Sequence, residues 1–222
     1  MDDGHAVNDG HAVNDGAWLG AGDAMLAPSV DTAAAMRLVE SAPGGDDAME
    51  RDRLIVADLI AHHPDIAVRT CRPGHLTGSA FVVDASGRHG LLMFHTKLQR
   101  WLQPGGHADG DTNLAAVAWR EAGEETGITG LRVLRDALDI DIHRVAPPAE
   151  DPHLHLDVRF LVVAPPGAAL AGNHESRDLR WVEREALAAP EYGLDPGTMR
   201  LAHAAFAAFD RLNGCTAERL NG

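Results

Sequence analysis

The stretch that decides the fold is residues 101–128, which read WLQPGGHADGDTNLAAVAWREAGEETGI. It starts as an apolar strand end and passes through a proline and two glycines before it becomes strongly helix-forming. The consecutive residues Gly105 and Gly106 allow a ligand to approach the backbone closely. A helix is predicted over residues 112–126, with Gly127 placed where a glycine ends a helix. The segment therefore predicts a strand, a ligand-binding loop and a helix in direct succession.

Three carboxylates share one face of that helix. Glu121, Glu124 and Glu125 stand at positions i, i+3 and i+4, which brings their Cβ atoms within about 5–6 Å of one another. Like charges at this spacing repel, so a cation is expected on this face. A hard divalent ion with oxygen ligands, Mg²⁺ or Mn²⁺, would neutralise the cluster and keep positions open for phosphate oxygens. The alternative is an acidic helix face that is simply solvated.

The spacing of the whole segment resembles the signature of the Nudix hydrolases, GX5EX7REUXEEXGU, in which U is apolar. The resemblance implies an α/β/α sandwich around a mixed β-sheet. It also implies metal-dependent hydrolysis of a diphosphate linkage in a nucleoside diphosphate joined to another moiety. The matching positions are Gly106, Arg120, Glu121, Glu124, Glu125, Gly127 and Ile128.

The resemblance also implies roles for individual residues. Arg120 should orient a glutamate through an ion pair, and Glu175, six residues before Trp181, is the candidate for a further ligand or the general base. The substrate should be a small phosphorylated molecule, and the cofactor should be two or more Mg²⁺ or Mn²⁺ ions. The expected metal ligands are Glu121, Glu124, Glu125 and the backbone carbonyl of Gly105.

The sequence departs from the signature at two places. Thr112 stands where the first glutamate of the signature is expected, and the small Ala122 fills an apolar position. Asp109 and Asp111 flank Thr112, and either could supply the missing acid. Asp111 and Thr112 are also the two candidates for the N-cap of the helix. The threonine favours an alternative function, a domain that binds a nucleotide-like effector as a sensor without hydrolysing it.

A polar face is predicted on the strand that reads PHLHLDVRF over residues 152–160, because its polar and apolar residues alternate. The interpretation left open is either the solvated side of a half-covered sheet or the lining of a substrate cleft. A zinc site at the HxH pair is disfavoured, because no further Cys or His stands at a suitable spacing. The candidate substrate contacts are His153, His155, Asp157 and Arg159, with His143, His95 and His107 as weaker candidates.

The rest of the chain divides into four predicted parts. Residues 1–30, which contain the tandem repeat GHAVND, are expected to form a disordered tail, and residues 31–65 an acidic helical extension. The catalytic domain is expected over 66–214 and a short tail over 215–222. The extension either covers one edge of the domain or mediates self-association, for example as a homodimer.

Within the extension, the second predicted helix, 47–62, is expected to bury Leu54, Ile55 and Leu59 and to direct Arg51 and Asp52 outward. A last helix is predicted over about 198–212, ending at Asn213 and Gly214. The predicted strands are 76–83, 91–95, 131–138, 140–145, 154–164 and 179–182.

Composition excludes several classes of function. The formal net charge is −14, of which −10 falls in residues 1–65, and such a surface argues against general nucleic-acid binding. No apolar run is long enough to cross a bilayer, and the amino terminus does not resemble a secretory signal, so a cytoplasmic protein without a membrane anchor is expected. The cysteines Cys71 and Cys215 are too few for a disulfide scaffold. An isopentenyl diphosphate isomerase type of Nudix enzyme would need a reactive cysteine in the cleft, and Cys71 precedes the predicted sheet.

Overall fold

The computed structural model describes residues 16–146, 151–173 and 176–219. It contains one nine-stranded mixed sheet with helices on both faces, which confirms the expected α/β fold. The helices are α1 (Thr32–Ser41), α2 (Asp47–His62), α3 (Leu114–Thr126) and α4 (Pro196–Arg219). The strands are β1 (Trp18–Leu19), β2 (Gly74–Val83), β3 (His89–His95), β4 (Arg100–Leu102), β5 (Gly105–His107), β6 (Arg132–Leu134), β7 (Asp139–Val145), β8 (His153–Val163) and β9 (Ser176–Glu183).

The centre of the sheet is the parallel pair β2 and β8. These strands run side by side from Gly74 opposite Leu154 to Val83 opposite Val163. The other strand pairs are antiparallel: β7 and β6 pair with β8, and β5 and β3 pair with β2. Both central strands are rich in β-branched and aromatic residues at their C-terminal ends, as expected for strands that are covered on both faces.

Alternation along β2 separates the two helix layers. Leu76, Ala80 and Val82 are buried with residues of α1, α2 and α3, whereas Phe81 and Val83 are buried with residues of α4. Full burial of a side chain as large as phenylalanine contributes about 1.5–3 kcal/mol. The sheet is therefore held from both sides at one end, and its polar residues lie toward the other end.

Helix α2 packs differently from the prediction. Leu54 and Ile55, which were expected to be buried, are among the most exposed large apolar residues, whereas Val56 and Ile60 are buried. Asp52, which was expected to point outward, accepts a hydrogen bond from the backbone N–H of Ile142 at 3.0 Å. This contact attaches α2 to the edge strand β7, so the buried stripe is rotated relative to the one inferred from hydrophobicity alone.

The amino-terminal part differs from the expected tail over 1–30. Trp18 and Leu19 are buried in β1, which pairs with β6, whereas residues 1–15 lie outside the described residues. Two residues of this segment also approach the start of α3. Ser29 accepts a hydrogen bond from the N–H of Thr112 at 2.8 Å, and the Asn113 side chain donates to the carbonyl of Met25 at 2.8 Å.

The last helix is longer than predicted. Helix α4 continues through Asn213 and Gly214 to Arg219, although Leu201 and Phe209 are buried as expected. Asn213 donates a side-chain hydrogen bond to the carbonyl of Phe209 within the helix, which weakens its signal as a stop. Among the helices that the structure describes, none combines the length and apolar character needed to cross a bilayer.

Candidate active site

Strand β5, which we call the glycine strand, places Gly105 and Gly106 next to α3. We call α3 the glutamate helix because it carries Glu121, Glu124 and Glu125. Gly105 and Gly106 pair with Ser79 and Gly78 of β2, and the chain then enters the loop that leads to α3. A Cβ atom at Gly106 would collide with the carboxyl group of Glu121, and one at Gly105 would collide with the Ser79 side chain. Both positions therefore need glycine because of close approach rather than because of an unusual backbone angle.

Helix α3 is fixed at both ends by local chemistry. Its N-cap is Asn113, whose side-chain oxygen accepts a hydrogen bond from the N–H of Ala116, and not Asp111 or Thr112 as predicted. Gly127 ends the helix in the left-handed conformation with φ 68°, as the sequence predicted. Leu114, Val117 and Ala122 are buried against the sheet, and Glu125 is buried on the same side of the helix.

The three glutamates of α3 lie in different environments. Glu125 is only 3% exposed and accepts a hydrogen bond from the N–H of Gly105 at 2.9 Å. Glu121 is largely buried against Gly106, and Arg120 donates to its Oε1 at 3.1 Å. The Glu124 side chain is 62% exposed. Glu121 and Glu125 both contact the glycine strand.

The electrostatics of Glu121 indicate a deficit of positive charge. Burial raises the pKa of this carboxyl above its ordinary value, and the nearby Glu124 and Asp109 raise it further, although Arg120 acts in the opposite direction. A buried carboxylate that is only partly compensated gains most from an added cation. The ion pair with Arg120 also fixes the orientation of the carboxyl group.

The residues around the missing glutamate have separate roles. Thr112 is buried, and its hydroxyl has no hydrogen-bond partner in the described part of the chain. Asp111 accepts hydrogen bonds from the N–H groups of Ser29 and Asn113, so its carboxylate is used to hold the loop. Asp109 forms a two-point ion pair with Arg69 and lies close enough to Glu121 to raise its pKa. Of the two acids that flank Thr112, Asp109 is therefore the one that lies near Glu121.

The second half of the polar face of β8 is buried and fully paired. Arg159, which is 3% exposed, donates to Asp157 at 2.7 Å, to Asp141 at 2.9 Å and to Asp139 at 3.2 Å. Arg200 of α4 adds a second cation through its contact with Asp139 at 2.7 Å. This is neither a solvated surface nor an open cleft, because the charges satisfy one another under α4.

The partners of Asp157 complete this network. Thr77 donates a side-chain hydrogen bond to Asp157 at 2.9 Å, and Ser79 donates to the same carboxylate at 2.8 Å. Burial alone would raise the pKa of Asp141, but the hydrogen bond with His143 and the charge of Arg159 lower it to about 2. Thr77, Ser79, Asp139, Asp141 and Arg200 were not among the candidate site residues. The polar alternation along β2 and β7 is a signal for the first four, whereas Arg200 lies on α4 and has no such signal.

The first half of the same face is a cluster of histidines. The register of the sheet places His75 of β2 opposite His155 of β8, and His155 opposite His143 of β7. His153 lies two residues earlier on β8, and His107 of β5 packs against both His75 and His155 with ring centroids 5.1 and 4.9 Å away. We call His75, His153, His155, His107 and His143 the histidine cluster.

Burial keeps the centre of this cluster neutral. Desolvation, reinforced by neighbouring histidines, lowers the pKa of His75 to about 4 and that of His155 to about 2. At neutral pH these imidazoles are uncharged, so they do not attract a phosphate as cations would. Among the other sequence candidates, His95 lies at the end of β3, and Glu175 lies outside the described residues.

Comparison with known proteins places this geometry in a family. The model of the NUDIX domain matches residues 75–202, which is more than half of the chain. No curated protein matches the sequence.

Two of the solved structures to which the chain is similar are distant in sequence. One is an Ap4A hydrolase from C. elegans in a binary complex, with 21% identity over 60% of this chain and 96% of that chain and a TM-score of 0.47. Another is the dihydroneopterin triphosphate pyrophosphohydrolase of E. coli, with 15% identity over 62% and 94% of the two chains and a TM-score of 0.46. The domain match, together with the glutamate helix folded against its glycine strand, shows that the chain belongs to the Nudix hydrolase family, a family of metal-using pyrophosphohydrolases.

Proposed function

We propose that this protein hydrolyses a diphosphate linkage in a nucleoside diphosphate joined to another moiety, with Mg²⁺ or Mn²⁺ bound at α3. The observation that carries the proposal is the contact of α3 with the glycine strand. Glu125 accepts from Gly105, and the carboxyl of Glu121 occupies the space that a side chain at residue 106 would fill. Family membership supports the reaction class, and the choice of a nucleoside diphosphate derivative comes from the resemblance of the signature.

The residues present fit a hard divalent cation. Carboxylate and carbonyl oxygens are the ligands that Mg²⁺ prefers, and the buried Glu121 lacks full compensation by Arg120. Glu121, Glu124, Glu125 and the carbonyl of Gly105 would hold two or more such ions. When bound, the ions would make a water more acidic and offset the charge of the phosphates.

The side chains of this chain supply orientation and proton transfer. Arg120 holds Glu121 through the contact at 3.1 Å and so fixes the direction of this carboxylate, which is placed to accept a proton. Glu121 takes the proton from the water that attacks phosphorus, and the bond from phosphorus to the bridging oxygen breaks. The products are a nucleoside monophosphate and the phosphorylated second moiety. Glu175 is the other candidate for the base.

The test is product release from a panel of nucleoside diphosphate derivatives in the presence of Mg²⁺. Because Glu124 is exposed, its replacement in Glu124→Gln should leave the fold intact and lower kcat by about 100-fold or more, with a smaller change in KM. Glu185→Gln, which alters an exposed glutamate outside α3, is the matched control and should retain full activity. Equal rates in Glu124→Gln and the control would contradict the proposal.

A second candidate function is a sensor that binds a nucleotide-like effector without hydrolysing it. The observation that favours it is Thr112, which is buried and cannot ligate as the expected glutamate would. Asp109 offers a carboxylate nearby, and its ion pair with Arg69 leaves it half exposed. Tight binding of a panel member with no product from either the wild type or Glu124→Gln would favour the sensor.

The isomerase alternative finds no support in the environment of Cys71. This residue is 1% exposed within the core, and burial raises the pKa of its thiol to about 11. A thiol in that state is a poor nucleophile or acid–base group at neutral pH.

Self-association is a separate proposal. Leu54 and Ile55 of α2 are exposed and adjacent, and they could form the contact of a homodimer. Light scattering on the wild type and on a Leu54→Lys, Ile55→Lys double variant would test it, since the variant should be monomeric if this face is the interface.

A further inference from the structure

The histidine cluster contains three ligand positions that the proposed hydrolysis does not use. One ring nitrogen each from His75, His153 and His155 lies within 4.8 Å of the other two. The three residues come from two adjacent strands, because the parallel register puts His75 directly beside His155 and His153 lies on the same face of β8. The sheet itself therefore brings them together, without any loop.

The ring nitrogens of this arrangement are unusual because they are buried and lack hydrogen-bond partners. His75 is 1% exposed, and neither of its ring nitrogens has a hydrogen-bond partner among the described residues. The Nε2 atom of His155 is likewise buried and unpartnered within the described ranges. Buried polar atoms in folded proteins are nearly always paired, so two neighbouring imidazoles with open nitrogens indicate a missing ligand.

We propose that His75, His153 and His155 bind a divalent transition-metal ion of the class that imidazole prefers, such as Zn²⁺. Neutral imidazole is the commonest protein ligand of such ions, and three protein ligands with one open position is the arrangement of zinc sites that bind an exchangeable oxygen ligand. The site is distinct from the oxygen-ligand site of α3, because its donors are nitrogens and lie on β2 and β8.

His153 is already prepared for this role. Its Nδ1 lies 2.8 Å from the carbonyl oxygen of Asp151, so Nδ1–H donates and Nε2 keeps the lone pair. Metal-binding histidines usually donate their other ring nitrogen to a carbonyl or carboxylate in this way. The contact fixes both the tautomer and the direction of the ring.

The spacing also permits the site to close. Zn–N bonds of about 2.0–2.1 Å in tetrahedral geometry require nitrogens about 3.3–3.4 Å apart. The ligand nitrogens now lie within 4.8 Å of one another. The rings must therefore rotate far enough to move these nitrogens by about an ångström. Both nitrogens of His75 and Nε2 of His155 make no hydrogen bonds within the described residues, so these three atoms lose no partner when their rings turn toward an ion, while His153 keeps its hydrogen bond to Asp151.

The charges around the site favour an anionic fourth ligand. Three neutral imidazoles leave the ion with its full positive charge, and Arg69 and Arg72 lie near enough to His75 to oppose protonation of its ring. Asp109 offsets Arg69 through their ion pair. His107, which contacts His75 and His155, directly follows Gly106, so the histidine cluster adjoins the glycine strand where the substrate phosphates are expected.

The test uses Co²⁺ as a spectroscopic probe on the full chain after treatment with a chelator. Excess Mg²⁺ is kept present so that the α3 site does not take up cobalt. We expect one Co²⁺ per chain, with the strong visible absorption of a four-coordinate ion, and displacement by one equivalent of Zn²⁺. Binding that gives only the weak spectrum of an ion with six oxygen ligands would overturn the proposal.

Variants separate this site from other histidines. His153→Gln should weaken Co²⁺ affinity by more than the roughly 10- to 100-fold typical of losing a residue that only orients a ligand. His203→Gln, on the exposed side of α4, and the double variant of His5 and His11 in the amino-terminal repeats are controls and should keep the spectrum. Unchanged affinity in His153→Gln, or loss in a control, would refute the assignment.

A measurement on the wild type covers the case in which a variant fails to fold. X-ray absorption of the Zn²⁺-loaded protein should show three imidazole ligands at about 2.0–2.1 Å and one oxygen ligand. A shell of oxygens only would place the ion elsewhere. Neither result depends on whether the protein hydrolyses a nucleotide derivative.

Discussion

The two halves of one strand face differ in how their polar atoms are satisfied. Toward the C-terminal end of β8, Asp157 and Arg159 are buried and each makes several hydrogen bonds. Toward the N-terminal end, His75 and the Nε2 atom of His155 are also buried, yet both nitrogens of His75 and this Nε2 have no partner among the described residues. The same alternating sequence pattern therefore produces a self-contained structural network in one half and a set of open donor atoms in the other. Burial alone does not distinguish the two, whereas the count of hydrogen bonds does.

The largest loss of stability should come from removing a partner in the half of the β8 face where Asp157 and Arg159 are paired. Arg159→Met leaves the buried Asp157, Asp139 and Asp141 with much less compensation, and loss of one partner from a buried ion network costs about 3–5 kcal/mol. Chemical denaturation should show this loss in the free energy of unfolding. Arg37→Met, which removes an exposed ion pair, is the control and should cost about 0–1 kcal/mol. Similar effects for the two variants would mean that the network is not structural.

The half of the β8 face that carries the histidine cluster should make the stability depend on pH. The pKa of His75 falls from 6.5 to about 4 on folding, so between these values the unfolded chain binds a proton that the folded chain does not. Stability therefore decreases as the pH falls from 6.5 to 4, by on the order of 3 kcal/mol for this residue.

The control for the pH prediction is the same titration on His75→Leu, in a chelator so that no metal contributes. That variant should lose part of the decrease between pH 6.5 and 4. Asp141, with its pKa lowered to about 2, should affect stability only at lower pH, from about 3.8 downward. An identical pH profile for wild type and variant would show that His75 is not buried in neutral form.

A smaller effect is expected within the paired half when a single hydrogen bond is removed. Ser79→Ala deletes the donor that lies 2.8 Å from the Asp157 carboxylate, which leaves Thr77 and Arg159 as its remaining donors. The cost should be about 1–3 kcal/mol in the free energy of unfolding. Ser86→Ala, which alters an exposed turn, is the control with little expected change. A cost for Ser79→Ala no greater than that of the control would indicate that the hydrogen bond is not needed.

The smallest effect should follow from His75→Leu at pH 8 in metal-free buffer. An apolar side chain of similar size removes two buried nitrogens without partners, so the free energy of unfolding should change by less than about 1 kcal/mol or increase. The same substitution should abolish stabilisation by added Zn²⁺. A large loss of stability without metal would show that the ring of His75 is held by contacts that leucine cannot replace.

The sequence predicted the local order of elements around the glutamates better than the contacts that surround them. Residues 101–128 predicted a strand, a loop and a helix in the right order, although Gly105 and Gly106 belong to the short strand β5 and the loop begins after them; the helix end at Gly127 is a local requirement that the sequence shows directly. The N-cap was wrong because Asp111 is engaged by Ser29, a residue 82 positions away. Such long-range contacts leave no local signal in the sequence.

The polar face shows the same limit. Alternation on β8 correctly indicated that His153, His155, Asp157 and Arg159 share a side, but the partner strand could not be inferred from it. Zinc was disfavoured at His153 and His155 because no further Cys or His stands at a suitable spacing in the sequence. His75 lies 80 positions from His155 and becomes its neighbour only through the parallel pairing of β2 with β8.

The hydrogen bonds between the amino-terminal segment and the loop before α3 bear on where the protein can be trimmed. A fragment cut to the matched span, starting at residue 75, would remove Ser29 and Met25 and leave the N–H of Thr112 and the amide of Asn113 without their acceptors. The loop that positions the glutamate helix would then have to find new partners in water. A protein expressed from about Gly16 onward should therefore keep the loop before α3 closer to its native arrangement than a protein that starts at the domain boundary.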